Sequence, residues 1–143
     1  MESIKVADYM NKRPVTFKID MTVAEAVERL LHSHQIGGPV IDSHKHVVGF
    51  LSEQDCLAHM LEATYLGESH CTVYELMHKE PLTVTPNDSV LDLAQQMRGA
   101  KPKLYPVTDD EGRLVGIITR SDVLKAIDVQ LHAMYEKGHT RLV

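Results

Sequence analysis

The chain is poor in large aromatic residues and in cysteine: its 143 residues include no tryptophan, two phenylalanines and two cysteines. Few aromatic rings leave little surface on which the bases of a single strand could stack. The net charge is −5, and Lys and Arg are scattered along the chain rather than gathered into a stripe. Both features argue against nucleic acid as the main ligand, so we expect no nucleic-acid partner.

Long apolar runs are also lacking. No run approaches the roughly 18 residues that would span a bilayer, and the first residues, Met-Glu-Ser-Ile-Lys-Val, have no signal-peptide pattern. We therefore predict a soluble, cytoplasmic protein with no membrane partner. A chain of this length forms one domain, or two halves that share a core, and needs no disulfide or metal to fold.

The sequence contains one segment written twice. Residues 6–57 align with residues 73–124 at a constant offset of 67, without a gap. The matched pairs include Met10 with Met77, Pro14 with Pro81, Thr16 with Thr83, Pro39-Val40 with Pro106-Val107, Gly49 with Gly116, and Asp55 with Asp122. This period is too long for a solenoid, so we interpret the chain as two repeats, residues 1–67 and 68–143. Any cleft made by one half should therefore occur twice.

Each copy has the pattern of a β-α-β-β-α unit. Alternating apolar residues predict short strands at 15–19 and 82–85, and apolar residues at helical spacing predict helices that begin at Val23 and Val90. Extended segments that start at Pro39 and Pro106 are interrupted by polar turns at 42–46 and 109–113, which predicts two β-hairpins. A second helix ends each unit. A short helical turn, at 6–10 and 73–77, precedes the whole unit.

The segment 63–72 joins the two copies and is polar enough for a linker. It is too short to let the halves move independently. We therefore expect the two sheets to pack against each other, with helices on their flanks.

The most distinctive local pattern is Gly-Phe-Leu-Ser-Glu-Gln-Asp at 49–55, matched by Gly-Ile-Ile-Thr-Arg-Ser-Asp at 116–122. It puts a hydroxyl and a carboxylate where a strand passes into a helix. Free N–H groups and the helix dipole favour a phosphate there, and an Asp one turn later can accept hydrogen bonds from both hydroxyls of a ribose.

A purely structural interpretation of the same pattern remains open. Ser52 and Asp55, like Thr119 and Asp122, have the spacing of an ordinary helix N-terminal cap. The two glycines either admit a ligand close to the backbone or relieve a clash at the strand edge.

The repeated unit, the Pro-Val hairpins and the paired Gly-apolar-apolar-Ser/Thr-x-x-Asp endings together resemble a tandem pair of CBS domains, the cystathionine-β-synthase-type repeat. The resemblance covers almost the whole chain. It implies two repeats with pseudo-two-fold symmetry whose sheets associate face to face in a Bateman module. Such modules commonly bind AMP, ADP, ATP or S-adenosylmethionine in two related clefts and act as non-catalytic regulators.

The resemblance also implies roles for individual residues. The ribose-binding acids would be Asp55 and Asp122, and the phosphate-binding hydroxyls would be Ser52 and Thr119. The surroundings of the purine would be formed by Thr16, Gly38, Pro39, Thr83, Tyr105 and Pro106.

Charge distinguishes the two copies. Arg120, Lys103 and Lys101 stand where the first copy has Glu53, Ile36 and His34. Phosphates gain most from paired Arg or Lys. We therefore hypothesise that the Thr119/Asp122 cleft binds a nucleotide more tightly than its twin, although phosphates that reach across to the opposite copy would change which cations they meet.

We predict a regulatory ligand with or without Mg²⁺, no required cofactor, a homodimer, a protein partner that the sequence does not identify, and no enzymatic activity. The pairs His32/His34 and His44/His46 are two residues apart, which is poor spacing for a metal site on a helix. The alternative function is a structural or oligomerisation module that acts by protein contact, with its clefts filled by side chains such as Phe50 and Tyr105.

Overall fold

The computed structural model describes residues 4–67 and 70–142 and shows a mixed α/β fold with two small antiparallel sheets. In chain order the elements are α1 Val23–Ser33, β1 Gly37–Ile41, β2 Val47–Ser52, α2 Glu53–Leu66, α3 Val73–Leu76, β3 His78–Lys79, α4 Val90–Gln96, β4 Leu104–Thr108, β5 Leu114–Thr119 and α5 Arg120–Leu142. A 3-10 turn, Val6–Asp8, precedes them. Both predicted hairpins are confirmed.

The two predicted helices begin where the capping residues indicated. The Thr22 hydroxyl accepts a hydrogen bond from the Glu25 N–H at 3.2 Å, and the Ser89 hydroxyl accepts one from the Asp92 N–H at 3.3 Å. Each bond satisfies one of the N–H groups that a helix leaves free in its first turn. The start of each helix is therefore determined within a few residues of sequence.

The strands predicted at 15–19 and 82–85 do not form. Phe17 alone bridges β1, in parallel with Val40, and Val84 alone bridges β4, in parallel with Val107. Phe17 donates to the Pro39 carbonyl and accepts from the Ile41 N–H, and Val84 has the same two bonds in the second copy. Each segment meets its sheet at one residue only, which is too short a pairing for a strand.

The segment that joins the copies is shorter than predicted, because α2 continues to Leu66 and ends at Gly67. Gly67 has φ of +72°, the left-handed conformation that commonly ends a helix. Residues 63–66 therefore belong to the helix. Glu68 and Ser69, which the prediction placed in the linker, lie outside the described residues.

The segment that precedes each half in the chain packs in the core of the other half. Ile4 and Val6 are buried in the core of the second half, and the Val6 N–H donates to the Asp88 carbonyl. Conversely, Val73 and Met77 are buried in the core of the first half. The strand β3, which the sequence analysis did not predict, pairs with β2 and completes a three-stranded sheet, β1-β2-β3.

This exchange explains the glycines of the repeated motif. A Cβ on Gly49 would lie 2.9 Å from the His78 carbonyl oxygen, and one on Gly116 would lie 2.7 Å from the Asn11 carbonyl oxygen. The backbone that approaches each glycine therefore belongs to the exchanged segment and not to a ligand. Of the two interpretations left open, relief of a clash at the strand edge is confirmed.

The two sheets are in contact. Strand β1 lies against β4, and an antiparallel bridge joins His46 to Arg113 at the two hairpin turns. The Val47 N–H donates to the Gly112 carbonyl, and the Leu114 N–H donates to the Lys45 carbonyl. Among the helices that the structure describes, none combines the length and apolar character that crossing a membrane requires.

Candidate functional site

A cleft of about 560 Å³ opens between the two sheets. The first half contributes the end of β2 and the start of α2, and the second half contributes β3 and the segments before β4. Its lining residues are Ile36, Phe50, Ser52, Glu53, Gln54, His78, Lys79, Glu80, Pro81, Leu82, Lys101, Pro102, Lys103, Leu104 and Pro106. Three residues predicted from the sequence, Ser52, Lys103 and Pro106, are therefore brought together.

The alternation of side chains along a strand decides which residues reach the cleft. On β4, Leu104 and Pro106 line the cleft, whereas Tyr105 and Val107 lie in the core of the second half. Tyr105 is only 1% exposed. The Tyr105 ring therefore does not fill the cleft, and the predicted contact of Tyr105 with the purine stays a prediction for its backbone.

Gly38 occupies the position that corresponds to Tyr105 and also faces a core. A Cβ at Gly38 would lie 2.4 Å from the Val15 carbonyl oxygen and 3.1 Å from Cε2 of Phe17. The predicted contact of Gly38 with a ligand stays a prediction for its backbone. Phe50, on the neighbouring strand, does line the cleft, as the alternative function required.

Ser52 and Asp55 form a compact pair at the start of α2. The Ser52 hydroxyl donates to Asp55 Oδ2 at 2.7 Å and accepts from the Asp55 N–H at 3.1 Å. Thr119 and Asp122 repeat this arrangement at the start of α5, with an O–H to Oδ2 distance of 2.9 Å and an N–H to Oγ1 distance of 3.2 Å. The capping interpretation is thus observed in both copies, while Ser52 also lines the cleft.

A residue that the sequence analysis missed completes the first pair. Because β3 pairs with β2 and places His78 opposite Phe50, the imidazole of His78 reaches the start of α2. His78 Nε2 lies 2.8 Å from Asp55 Oδ2. The equivalent position in the other copy is Asn11, so the repeat gave no signal for this contact.

The positions of the cations differ from those predicted from the sequence offset. Lys101 and Lys103 line the cleft that contains Ser52, whereas the sequence offset had assigned them to the cleft of Thr119. Lys79 lies there too, with its ammonium 4.6 Å from the centre of the Tyr74 ring. Glu53 and Glu80 are the acidic residues among the lining groups. The cleft therefore offers three lysines and a histidine to an anionic group.

The remaining predicted residues lie around this arrangement without lining the cleft. Arg120 is exposed at the start of α5, and its N–H donates to the Lys103 carbonyl at 2.8 Å. The carbonyl of Thr16 accepts a bond from the Arg29 guanidinium at 3.1 Å. Thr83 is exposed next to Leu82, and Pro39 is buried opposite Phe50.

The described residues contain no group of three or more histidine, cysteine or acidic side chains placed to hold a metal ion. His44 and His46 have ring centres 6.3 Å apart, and His46 Nδ1 lies 3.3 Å from Asp42 Oδ2. These histidines lie in the first hairpin turn, away from the cleft.

Two segments of the chain, residues 6–62 and 73–129, match the family model of the CBS domain. The matched segments begin 67 residues apart, which is the offset of the sequence repeat.

Solved structures share both the fold and the pairing of the two copies. CBSX2 of Arabidopsis thaliana, crystallised in complex with AMP, is 32% identical, with a TM-score of 0.78 over 90% of this chain and 98% of that one. The CBS domain pair of protein MJ0100, in complex with 5′-methylthioadenosine and S-adenosyl-L-methionine, is 25% identical, with a TM-score of 0.76 over 90% of this chain and 99% of that one.

Curated relatives include inosine-5′-monophosphate dehydrogenase of Aquifex aeolicus, which is 34% identical over 113 residues, 78% of this chain and 22% of the relative. The chain spans less than half the length of this relative and of two uncharacterized proteins of Methanocaldococcus jannaschii that it matches.

Proposed function

The chain belongs to the CBS domain family, and from that membership we propose that it is a non-catalytic regulatory module that binds an adenosine-containing ligand between its two repeats. The candidates are AMP, ADP, ATP and S-adenosylmethionine. The observation that carries the proposal is the cleft of about 560 Å³, which is lined by Ser52 at the start of α2 and by Lys101 and Lys103 of the other half. Asp55 lies beside the cleft, hydrogen-bonded to Ser52. A related CBS pair, CBSX2, binds AMP.

The chemistry of the cleft suits the three parts of a nucleotide. The positive end of the α2 dipole, together with the Ser52 hydroxyl, favours an anionic phosphate, and the lysines add charge-assisted hydrogen bonds. Asp55 supplies carboxylate oxygens for the two ribose hydroxyls. Phe50 and Pro106 provide apolar surface for the purine.

We place a second cleft at the start of α5, around Thr119 and Asp122. The two helices begin alike: the Glu53 N–H donates to the Ile36 carbonyl, and the Arg120 N–H donates to the Lys103 carbonyl, both at 2.8 Å. At the 67-residue offset Lys12 corresponds to Lys79 and Arg13 to Glu80, so the exchanged segment 6–13 carries two adjacent cations. We keep Arg120 and Thr16 among the proposed binding residues of this pair of clefts, with Thr83 and Pro39.

Signalling follows from where the cleft lies. Its walls come from both proposed repeats, residues 1–67 and 68–143, so a ligand in the cleft contacts the two halves at once. A ligand that binds one arrangement of the halves better shifts the population toward it. Through this linkage, occupancy would alter how the module meets an output protein.

We further propose that the module is a homodimer. Apolar side chains stand exposed at helical spacing on α2 and α5: Leu57 is 70% exposed, Leu61 57%, Leu124 70% and Leu131 57%. Exposed apolar stripes of this kind mark interaction sites. Sedimentation of the native protein and of Leu57→Asp and Leu124→Asp variants would measure the assembly, and a native protein that sediments as a monomer would contradict this part.

The direct test is a titration of the purified protein with AMP, ADP, ATP and S-adenosylmethionine, each with and without Mg²⁺. A one-site ligand at a hundred times its dissociation constant adds about 2.7 kcal/mol of stability, which raises the melting temperature by several degrees. Asp55→Asn should weaken binding about tenfold to a hundredfold, because it removes charge-assisted bonds to the sugar.

Asp92→Asn provides the matched control, since Asp92 holds the same capping position in α4 and does not line the cleft. Equal weakening by both substitutions would show that helix stability, and not the cleft, governs binding. If none of the four compounds shifted the melting temperature, the nucleotide-binding proposal would fail and the structural-module alternative would take its place.

A further inference from the structure

The first cleft differs from its twin in the state of its acidic residue. Asp55 Oδ2 accepts a hydrogen bond from the Ser52 hydroxyl at 2.7 Å and lies 2.8 Å from His78 Nε2. A sugar that uses both carboxylate oxygens of Asp55 therefore meets an oxygen that is already engaged. The imidazole of His78 and a ribose hydroxyl therefore compete for Asp55 Oδ2.

The equivalent carboxylate in the second half has no such partner. Asn11 stands where the first half has His78, and its side-chain oxygen accepts from the Arg13 N–H at 2.9 Å. Within residues 4–67 and 70–142, Asp122 forms no ion pair, and its Oδ2 accepts only from the N–H and hydroxyl of Thr119. Competition between an imidazole and a ribose for the carboxylate is thus a property of one cleft.

A displaced imidazole stays inside the cleft, because His78 is one of its lining residues. The charged groups around it are Lys79 and Glu80 beside it in the chain, Glu53 and Asp55 on α2, and Lys101 and Lys103 before β4. A ligand without a phosphate breaks the His78–Asp55 contact and offers the imidazole nothing in return. A ligand with a phosphate offers it a new acceptor.

We propose that His78 is a specificity-determining residue that makes the Ser52 cleft prefer a phosphorylated nucleoside over the free nucleoside. This inference rests on the proposed function, since it needs a nucleotide in that cleft. The effect is modest, because the His78 side chain is 67% exposed and exposed ion pairs are weak. Replacing His78 should tighten adenosine binding about twofold to fivefold without tightening AMP binding.

The experiment compares adenosine with AMP by calorimetry in an Asp122→Ala background, so that only the Ser52 cleft is measured. His78→Asn introduces the residue found at the equivalent position of the other copy, Asn11, and removes the contact with Asp55. His44→Asn is the matched control, because His44 is exposed in the hairpin turn and does not line the cleft. Melting temperatures without ligand check that each variant is folded.

The expected result is that the AMP-to-adenosine preference falls about twofold to fivefold in His78→Asn and is unchanged in His44→Asn. If AMP binds and the preference does not move, or both ligands weaken equally, the role of His78 is overturned while the proposed function stands. If the Asp122→Ala protein binds neither compound while it remains folded, nucleotide binding in this cleft fails, and the role of His78 fails with it.

Discussion

The first half of the molecule places Phe17 and Gly38 where the second half places Val84 and Tyr105. In the first half the aromatic ring comes from the segment that bridges β1, and it packs beside a strand residue with no side chain. In the second half the ring comes from β4 itself, beside the smaller Val84. Both Phe17 and Tyr105 are buried, at 0% and 1% exposure. The same backbone unit thus builds its core around an aromatic ring that enters from a different strand position in each copy.

A second difference concerns the clefts. One exchanged segment brings His78 to Asp55, and the other places Asn11 at the equivalent position, opposite Ile117, although the two capping pairs have nearly the same geometry. The two halves are therefore alike in backbone and distinct in chemistry. A symmetric pair of clefts should not be assumed to bind one ligand equally.

The largest effect is expected from emptying the aromatic position of the first half. Phe17→Ala should cost about 3–5 kcal/mol of unfolding free energy, because it leaves a cavity in a core whose described residues include no other aromatic ring. Val84→Ala, the matched change in the second half, removes fewer buried atoms and should cost less. Urea unfolding of both variants measures the difference, and equal losses would contradict the idea that each half depends on its own ring.

A substitution at Tyr105 is expected to raise the free energy of unfolding and not to lower it. Its hydroxyl is buried and has no hydrogen-bond partner among the described residues, and burial raises the pKa of this phenol. A buried polar group without a partner costs free energy. Tyr105→Phe should therefore stabilise the protein by about 1 kcal/mol. A clear loss of stability in the same urea experiment would show that the hydroxyl has an undetected partner.

The smallest perturbation uses Cys56, which takes the place of Val123 and is 4% exposed. Burial, with the nearby charge of Asp55, raises the pKa of the Cys56 thiol to about 11. Since the thiolate is the reactive form, Cys56 should be labelled slowly in the native protein and fast after unfolding. In a Cys71→Ser variant the labelling rate would report opening of the first half alone. Labelling as fast as in urea would show that this half is not closed.

Much of each repeat could be predicted because it depends on neighbours in sequence. The caps at Thr22 and Ser89 bond groups three residues away, and each hairpin closes over a short polar turn. The strands at 15–19 and 82–85 were overestimated, because alternation marks an extended segment without revealing how many residues find a partner. The strand β3 was missed because two residues show no periodicity.

The candidate site was predictable in part for the same reason. Ser52 and Asp55 are linked by a local motif, and their pairing was expected. The positions of Lys101, Lys103 and His78 depend on which half each segment packs against, and a repeat offset cannot carry that information. The Tyr105 side chain was misplaced because its neighbour Pro106 does line the cleft, and only the direction of each side chain along the strand separates them.

By itself, the sequence determined that the chain is a duplicated unit of helix, β-hairpin and helix, where its helices start, where its hairpins turn, and that two capping motifs end in an acid. These features rest on hydrogen bonds and periodicities that span a few residues. Tertiary structure decided that the halves exchange their leading segments, that the lysines gather at Ser52, and that His78 reaches Asp55. Those contacts join residues far apart in the chain. They form only when the two cores pack, because that packing decides which apolar side chains each core buries.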